Sequence, residues 1–266
     1  MFGGVLAHVR FRGTIREHAV EPYLQVLKVV REKRKVRGLL FDMSSGGGDG
    51  VSSSDLYRAV KRVAAVKPVV ATIGGVAASG GYMAVLGAHR IYAHPESDVG
   101  SIGVFIPHIV ARGLLDKVGI KVELLHYGRH KDAYQGLREL TDEERQKVLK
   151  VAEVGYQSFV DQVARERKKS REEALQFATG EYWSGAQALG LGLIDALGDR
   201  EDALEELSRR TGVSSRKVVE FAPRRPFLDR LLSGPMNRVG TSLADAVYTG
   251  FEDRLEDLLV NHGRFR

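Results

Sequence analysis

The chain has 266 residues, of which 43% are hydrophobic and 28% charged, and its formal net charge is +6. That length suits one large domain or two small ones with a sizeable core. It contains no cysteine, which excludes disulfides, thiolate zinc sites and cysteine nucleophiles.

Met1 to Val5 offers neither a basic start nor a long apolar run, so no signal peptide is expected. Val5–Phe11 reads as a strand. Val20–Arg31 reads as a helix, with Val20, Tyr23, Leu24, Leu27 and Val30 at helical spacing. The basic clusters at 28–37 and 165–171 fall near predicted helix ends, where solvated lysine and arginine are common. No nucleic-acid motif accompanies them, so nucleic acid is not an expected partner.

Gly38–Met43 reads as a buried strand that leads into Ser44-Ser45-Gly46-Gly47-Gly48, and Ser54–Val66 reads as the helix after it. Residues 68–88 carry no charge and reach membrane-spanning length. Five glycines break this window, so a buried strand (Val69–Ile73), a turn and a short helix explain it better than a spanning helix. The chain is therefore expected to be cytoplasmic or peripherally membrane-associated. Further strands are expected at Arg90–Ala93 and Lys121–His126. The alternation of strands and helices argues for an α/β fold with function carried on loops at strand ends.

From Thr141 the pattern turns helical. Thr141-x-x-Glu144 and Ser170-x-x-Glu173 are capping boxes. Asp199–Arg210 reads as another helix and Lys217–Phe221 as a last strand. Pro223 and Pro226 mark a boundary, giving a domain over 1–222 and a helical extension over 223–266. In that extension Leu243, Val247, Phe251, Leu255 and Leu258 recur at helical spacing.

Three segments carry chemistry. Ala78-Ser79-Gly80-Gly81-Tyr82 follows an apolar strand and can hold the Ser79 hydroxyl exposed at a sharp turn, as a nucleophile requires. A helix that starts after Gly80 would aim its positive end at that hydroxyl. In Gly128-Arg129-His130-Lys131 the lysine becomes a base only if burial strips its charge. Gly46-Gly47-Gly48 has the bare backbone needed to offer an N–H, that of Gly46, beside that of Gly80 to a developing oxyanion. Gly100-Ser101-Ile102-Gly103 reads as an edge that an extended peptide could extend by one strand. Together these point to acyl transfer, with peptide hydrolysis as the leading reaction.

Other readings compete. A histidine base would come from His94 or His108, with Asp98, Asp116 or Asp132 behind it, yet neither histidine has a catalytic setting. No metal is expected, because no histidine pair has the H-E-x-x-H spacing. No cofactor is expected either. A crotonase-like enzyme acting on acyl-CoA would share the oxyanion hole without needing the Ser/Lys pair. A binding or scaffold protein could keep the fold without turnover.

These motifs, in this order over about residues 5–221, resemble the signal peptide peptidase A family, Ser-Lys peptidases of the Clp/crotonase superfamily. Trp183-Ser184-Gly185-x-Gln187-Ala188 and Gly192-Leu193-Ile194-Asp195 add to the likeness. Ser45 stands where that family usually has proline. The resemblance implies repeated ββα units with helical C-terminal additions, a Ser79 nucleophile and a Lys131 general base. It also implies an oxyanion hole from the Gly46 and Gly80 amides, and substrate contacts from Gly47 and Gly100 to Gly103. Hydrophobic or unfolded peptides such as remnant signal peptides, and a ring-like homo-oligomer, complete what it implies. A protease of membrane-associated partner proteins is the nearest variant.

Overall fold

A computed structural model describes residues 3–223 of the chain. The expected helical extension over 223–266 lies outside the described residues apart from Pro223.

The strands are β1 (Val5–Arg12), β2 (Val36–Ser45), β3 (Val69–Ala78), β4 (Arg90–Ala93), β5 (Asp98–Gly100), β6 (Tyr182–Ser184), β7 (Ala196–Leu197) and β8 (Val218–Glu220). The helices are α1 (Glu17–Glu32), α2 (Gly50–Ala64), α3 (Gly80–Val85), α4 (Arg112–Lys117), α5 (Asp142–Glu166), α6 (Arg171–Phe177), α7 (Gly185–Gly190) and α8 (Arg200–Thr211). They form the expected α/β architecture. One sheet runs in the order β6-β5-β3-β2-β1-β8, and β4 pairs with both β3 and β7. Every pairing is parallel except β5 with β6.

Side-chain alternation divides the sheet into two faces. Leu39, Phe41 and Met43 of β2 join Val9, Phe11, Ala71 and Ile73 in the main core, under α1, α2, α3 and α5. Leu40 points the other way and packs with Leu6, Val70 and Tyr92 against Ala203 and Leu207 of α8. The near-continuous apolar runs in β2 and β3 are what a parallel strand covered on both faces requires.

Two predicted elements change. β3 runs past Ile73 to Ala78, because its pairing with β2 shifts between Met43 and Ser45 and Gly74-Gly75 absorb the irregularity within the strand. No strand forms at Lys121–His126, although apolar and polar residues alternate there. Val122, Leu124 and Leu125 are 39%, 42% and 89% exposed, and among the described residues no strand pairs with this segment. The capping boxes form as expected: Thr141 and Glu144 exchange hydrogen bonds at the start of α5, and Ser170 and Glu173 do so at α6. No helix among the described residues is long and apolar enough to cross a membrane.

Candidate active site

In a parallel sheet the loops after the strands gather at one edge, and β2, β3 and β5 all deliver glycine-rich loops there. Ser79 sits between the end of β3 and the first turn of α3 with φ 49° and ψ −121°. That combination is unfavourable for any residue with a Cβ. Its neighbours fix it in place: Ser79 N–H donates to the Gly100 carbonyl at 2.7 Å, and Met83 N–H donates to the Ser79 carbonyl at 2.9 Å. The Gly80 amide lies at the first position of α3, where a helix offers no internal acceptor.

The glycines around this turn are there for space. A Cβ on Gly80 would overlap Ser53 Oγ, and one on Gly81 would come 2.5 Å from the Ser45 carbonyl. Gly47, at φ +104°, packs its Cα against the turn itself, so a Cβ there would lie 2.8 Å from Ser79 Cβ and 2.9 Å from the Gly80 nitrogen. The glycine loop is also tethered. Gly47 N–H donates to Ser45 Oγ at 3.1 Å, Ile15 N–H donates to the Gly47 carbonyl at 2.8 Å, and Asp49 N–H donates to the Ile15 carbonyl at 3.0 Å. Ser45 thus ties the loop through its hydroxyl. Gly46 is exposed, and a Cβ there would meet nothing within 4 Å.

Two cavities open beside Ser79. One, of about 460 Å³, lies between Ser79, Gly80 and Met83 on one side and Phe159 and Gln162 of α5 on the other. The second, of about 880 Å³, includes Gly46, Ser79, Ser101, Tyr156, Leu175 and Thr179 among its walls. Gly48, Gly103, Val104 and Phe105 border both. Ser101, at φ 47°, is the second residue here in a strained backbone conformation.

The structure gathers Ser79, Gly80, Gly46, Gly47, Gly100, Ser101 and Gly103 around one point, with buried Ile102 just behind them. β6 already occupies one side of the Gly100–Ile102 segment. Ser101 N–H donates to the Glu181 carbonyl at 2.7 Å, and Gly180 N–H donates to the Ile102 carbonyl at 3.1 Å. Gly100 is paired on both sides, by β3 and by β6, so a peptide could pair only beyond it, on the Ser79-facing side of residues 101–103.

Lys131 is placed differently. It is exposed, borders neither cavity and makes no ion pair among the described residues. Its loop is nonetheless anchored. Arg138 bridges Asp132 and the buried Glu144, while His130 Nδ1 lies 3.2 Å from Glu144 Oε1. The Arg138 guanidinium, helped by the Thr141 N–H, holds the Glu144 carboxyl far below the usual carboxylate range. Ahead of this loop runs an apolar stretch in which Phe105, Ile109, Leu125 and Tyr127 are at least 80% exposed. His94 and His108 border neither cavity; His108 Nε2 sits 3.1 Å from the Arg138 carbonyl.

The sequence patterns around residues 183–195 turn out to be structural supports. Ser184 and Gln187 form a capping box for α7. The buried Tyr82 hydroxyl donates to the Leu193 carbonyl at 2.7 Å, and Asp195 accepts from Ile91 N–H and from Arg167. These bonds lock α3, and with it the Ser79 turn, onto the rest of the domain. Sequence reasoning missed the contribution of α5 and α6 to the cavities. The available signal was Gly155, Ser158, Phe159 and Gln162, which recur at i, i+3, i+4 and i+7 and so share one helix face.

Comparison with known proteins points to a peptidase family. The family model described as peptidase family S49 matches residues 61–214. A candidate protease of Methanocaldococcus jannaschii is 37% identical over 75% of this chain and 64% of its own length. One of Synechocystis is 34% identical over 86% of this chain and 83% of its own. The chloroplast serine protease SPPA of Arabidopsis thaliana is 30% identical over 91% of this chain, which spans only 36% of that protein. Among solved structures, a mutant of the 1510-N membrane-bound stomatin-specific protease superimposes with a TM-score of 0.54 at 14% identity, covering 84% of this chain and 99% of its own. That likeness speaks for a shared fold.

Proposed function

The chain belongs to peptidase family S49, and from that premise we propose that it is a serine peptidase whose nucleophile is Ser79 and whose general base is Lys131. The observation that carries this reading is the strained Ser79 turn, held with its glycine loop at the junction of two cavities. Backbone strain at a turn of this kind is worth keeping where a side chain must be aimed.

Lys131 accepts the Ser79 proton as Oγ attacks the scissile carbonyl. The amides of Gly46 and Gly80 take the charge that develops on oxygen. The amine leaves with the proton carried by Lys131, and a water activated by the same lysine releases the acyl group. The peptide lies beyond the paired Gly100, along the Ser79-facing side of Ser101, Ile102 and Gly103, beside Gly47. The apolar walls favour hydrophobic or unfolded peptides, among them remnant signal peptides and segments of membrane-associated proteins.

A hydrated ammonium cannot serve as this base, so Lys131 has to be brought close to Ser79 and shielded from water. Homo-oligomer formation supplies both. An exposed apolar stretch such as 104–127 calls for a partner surface, and covering it would bury the loop that carries Lys131. Attachment to a membrane surface would bring such an assembly near its peptides.

The exposed position of Lys131 favours one second reading for an isolated subunit, a scaffold of the same fold without turnover. A fluorophosphonate separates the two. Modification confined to Ser79, with peptide turnover lost in Ser79→Ala and Lys131→Ala, is the expected result. An unreactive Ser79, or full turnover in either variant, supports the scaffold.

A further inference from the structure

Gly155 lies in the interior of the 25-residue helix α5, where glycine is among the poorest residues for helix stability. Its backbone is ordinary, since it is absent from the positive-φ glycines. Nor does packing demand it. A Cβ built there has a single neighbour within 4 Å, Val104 Cγ2 at 3.6 Å, which is normal van der Waals contact. Gly47, Gly80 and Gly87 differ, because a Cβ on any of them would press on neighbouring atoms at under 3.0 Å. The space over Gly155 is therefore not filled by any of the described residues.

That space opens into the smaller cavity at Ser79, whose α5 wall is formed by Gly155, Ser158, Phe159 and Gln162. Ser79, Met83 and Gly80 lie opposite. The cavity of about 460 Å³ is larger than an alanine side chain needs, and its lining is mainly apolar.

We infer that Gly155 sets the size of the side chain admitted next to the scissile bond, so that the peptidase selects a long aliphatic or aromatic residue there. The missing Cβ keeps the pocket deep, and a side chain at this position takes the volume that the substrate residue would occupy. The inference rests on the peptidase reading and adds a residue and a substrate preference to it.

The test uses the full chain and a panel of internally quenched peptides, identical except for Phe, Leu or Ala on either side of the cleaved bond. The quantity read is the ratio of kcat/KM for the best Phe or Leu peptide to that for its Ala counterpart. One methylene more or less in an apolar pocket is worth roughly 10- to 200-fold in discrimination. Gly155→Leu should therefore lower the ratio by at least about 10-fold. Gly155→Ala should lower it less, while raising the melting temperature through better helix propensity. The Gly155→Ala variant keeps the test valid if the leucine variant folds poorly.

A ratio that stays constant while both peptides slow equally overturns the role of Gly155 and leaves the peptidase reading standing. A wild-type preference for Ala overturns it likewise. A wild-type protein that cleaves nothing in the panel and resists fluorophosphonate at Ser79 removes the peptidase reading, and this inference with it.

Discussion

Gly47 and Ser79 are packed so closely that a methyl group on the glycine would come within 2.8 Å of the serine Cβ. The loop after β2 and the turn after β3 therefore act as one piece, and Ser79 cannot move without the loop. Gly47→Ala has to distort both, since φ is +104° as well. Displacing a reacting group by about 1 Å can cost roughly 100-fold in rate. We expect a fall in kcat/KM of about that size, and a loss of about 1–3 kcal/mol of stability from the strained backbone. Peptide turnover and urea unfolding of the variant check both.

Ser79 itself stores strain, with φ 49° and ψ −121°. Ser79→Gly removes the Cβ that makes this conformation costly, so the variant should be about 1–2 kcal/mol more stable than the parent while losing peptide turnover. A thermal melt and a turnover assay on the same preparation test the trade. A less stable Ser79→Gly protein would show that the turn is relaxed.

The anchor of the Lys131 loop gives a pH-dependent prediction. Arg138 first, and then the Thr141 N–H, hold the Glu144 carboxyl below its unfolded value. A depressed carboxylate contributes stability above the ordinary glutamate range near ~4.3 and loses it as the pH falls below that range. Glu144→Gln should therefore melt several degrees lower than the parent at pH 7, and the gap should narrow below about pH 4. Melting curves across that range decide it, and a gap that does not change with pH contradicts the assignment.

Assembly provides the next prediction. Tyr127 and Leu125 are fully and 89% exposed in the single chain. If subunit packing covers them, Tyr127→Asp should shift the mass in analytical ultracentrifugation toward monomer. Turnover should fall with it, because Lys131 would stay hydrated. An unchanged mass together with unchanged turnover argues that the stretch has another use.

Much of this was legible in the sequence because local physics decides it. The apolar runs of β2 and β3, the Thr141 and Ser170 capping boxes, and the glycines on either side of Ser79 each state their structure within a few residues. Ser45 was harder to read, since its contribution is a hydrogen bond to Gly47 that only the folded loop creates. The wall from α5 was hidden for a related reason. Gly155, Ser158, Phe159 and Gln162 show one helix face in the sequence, but nothing there says which cavity it meets. The Lys121–His126 segment misled because a strand needs a neighbour as well as alternation, and among the described residues no strand pairs with it. Lys131 marks the same boundary: it is exposed in the single chain, and its local sequence says nothing of what could pack over it.

The most direct measurement is the rate at which a fluorophosphonate modifies the protein between pH 6 and 10, followed by mass mapping, for wild type and Lys131→Ala. Loss of a positioned base costs about 10²–10⁴-fold in rate. The wild type should be modified at Ser79, faster as the pH rises, and Lys131→Ala should be slower by at least about 100-fold at neutral pH. Equal rates in the two proteins, or modification at another serine, would contradict a Ser79–Lys131 peptidase.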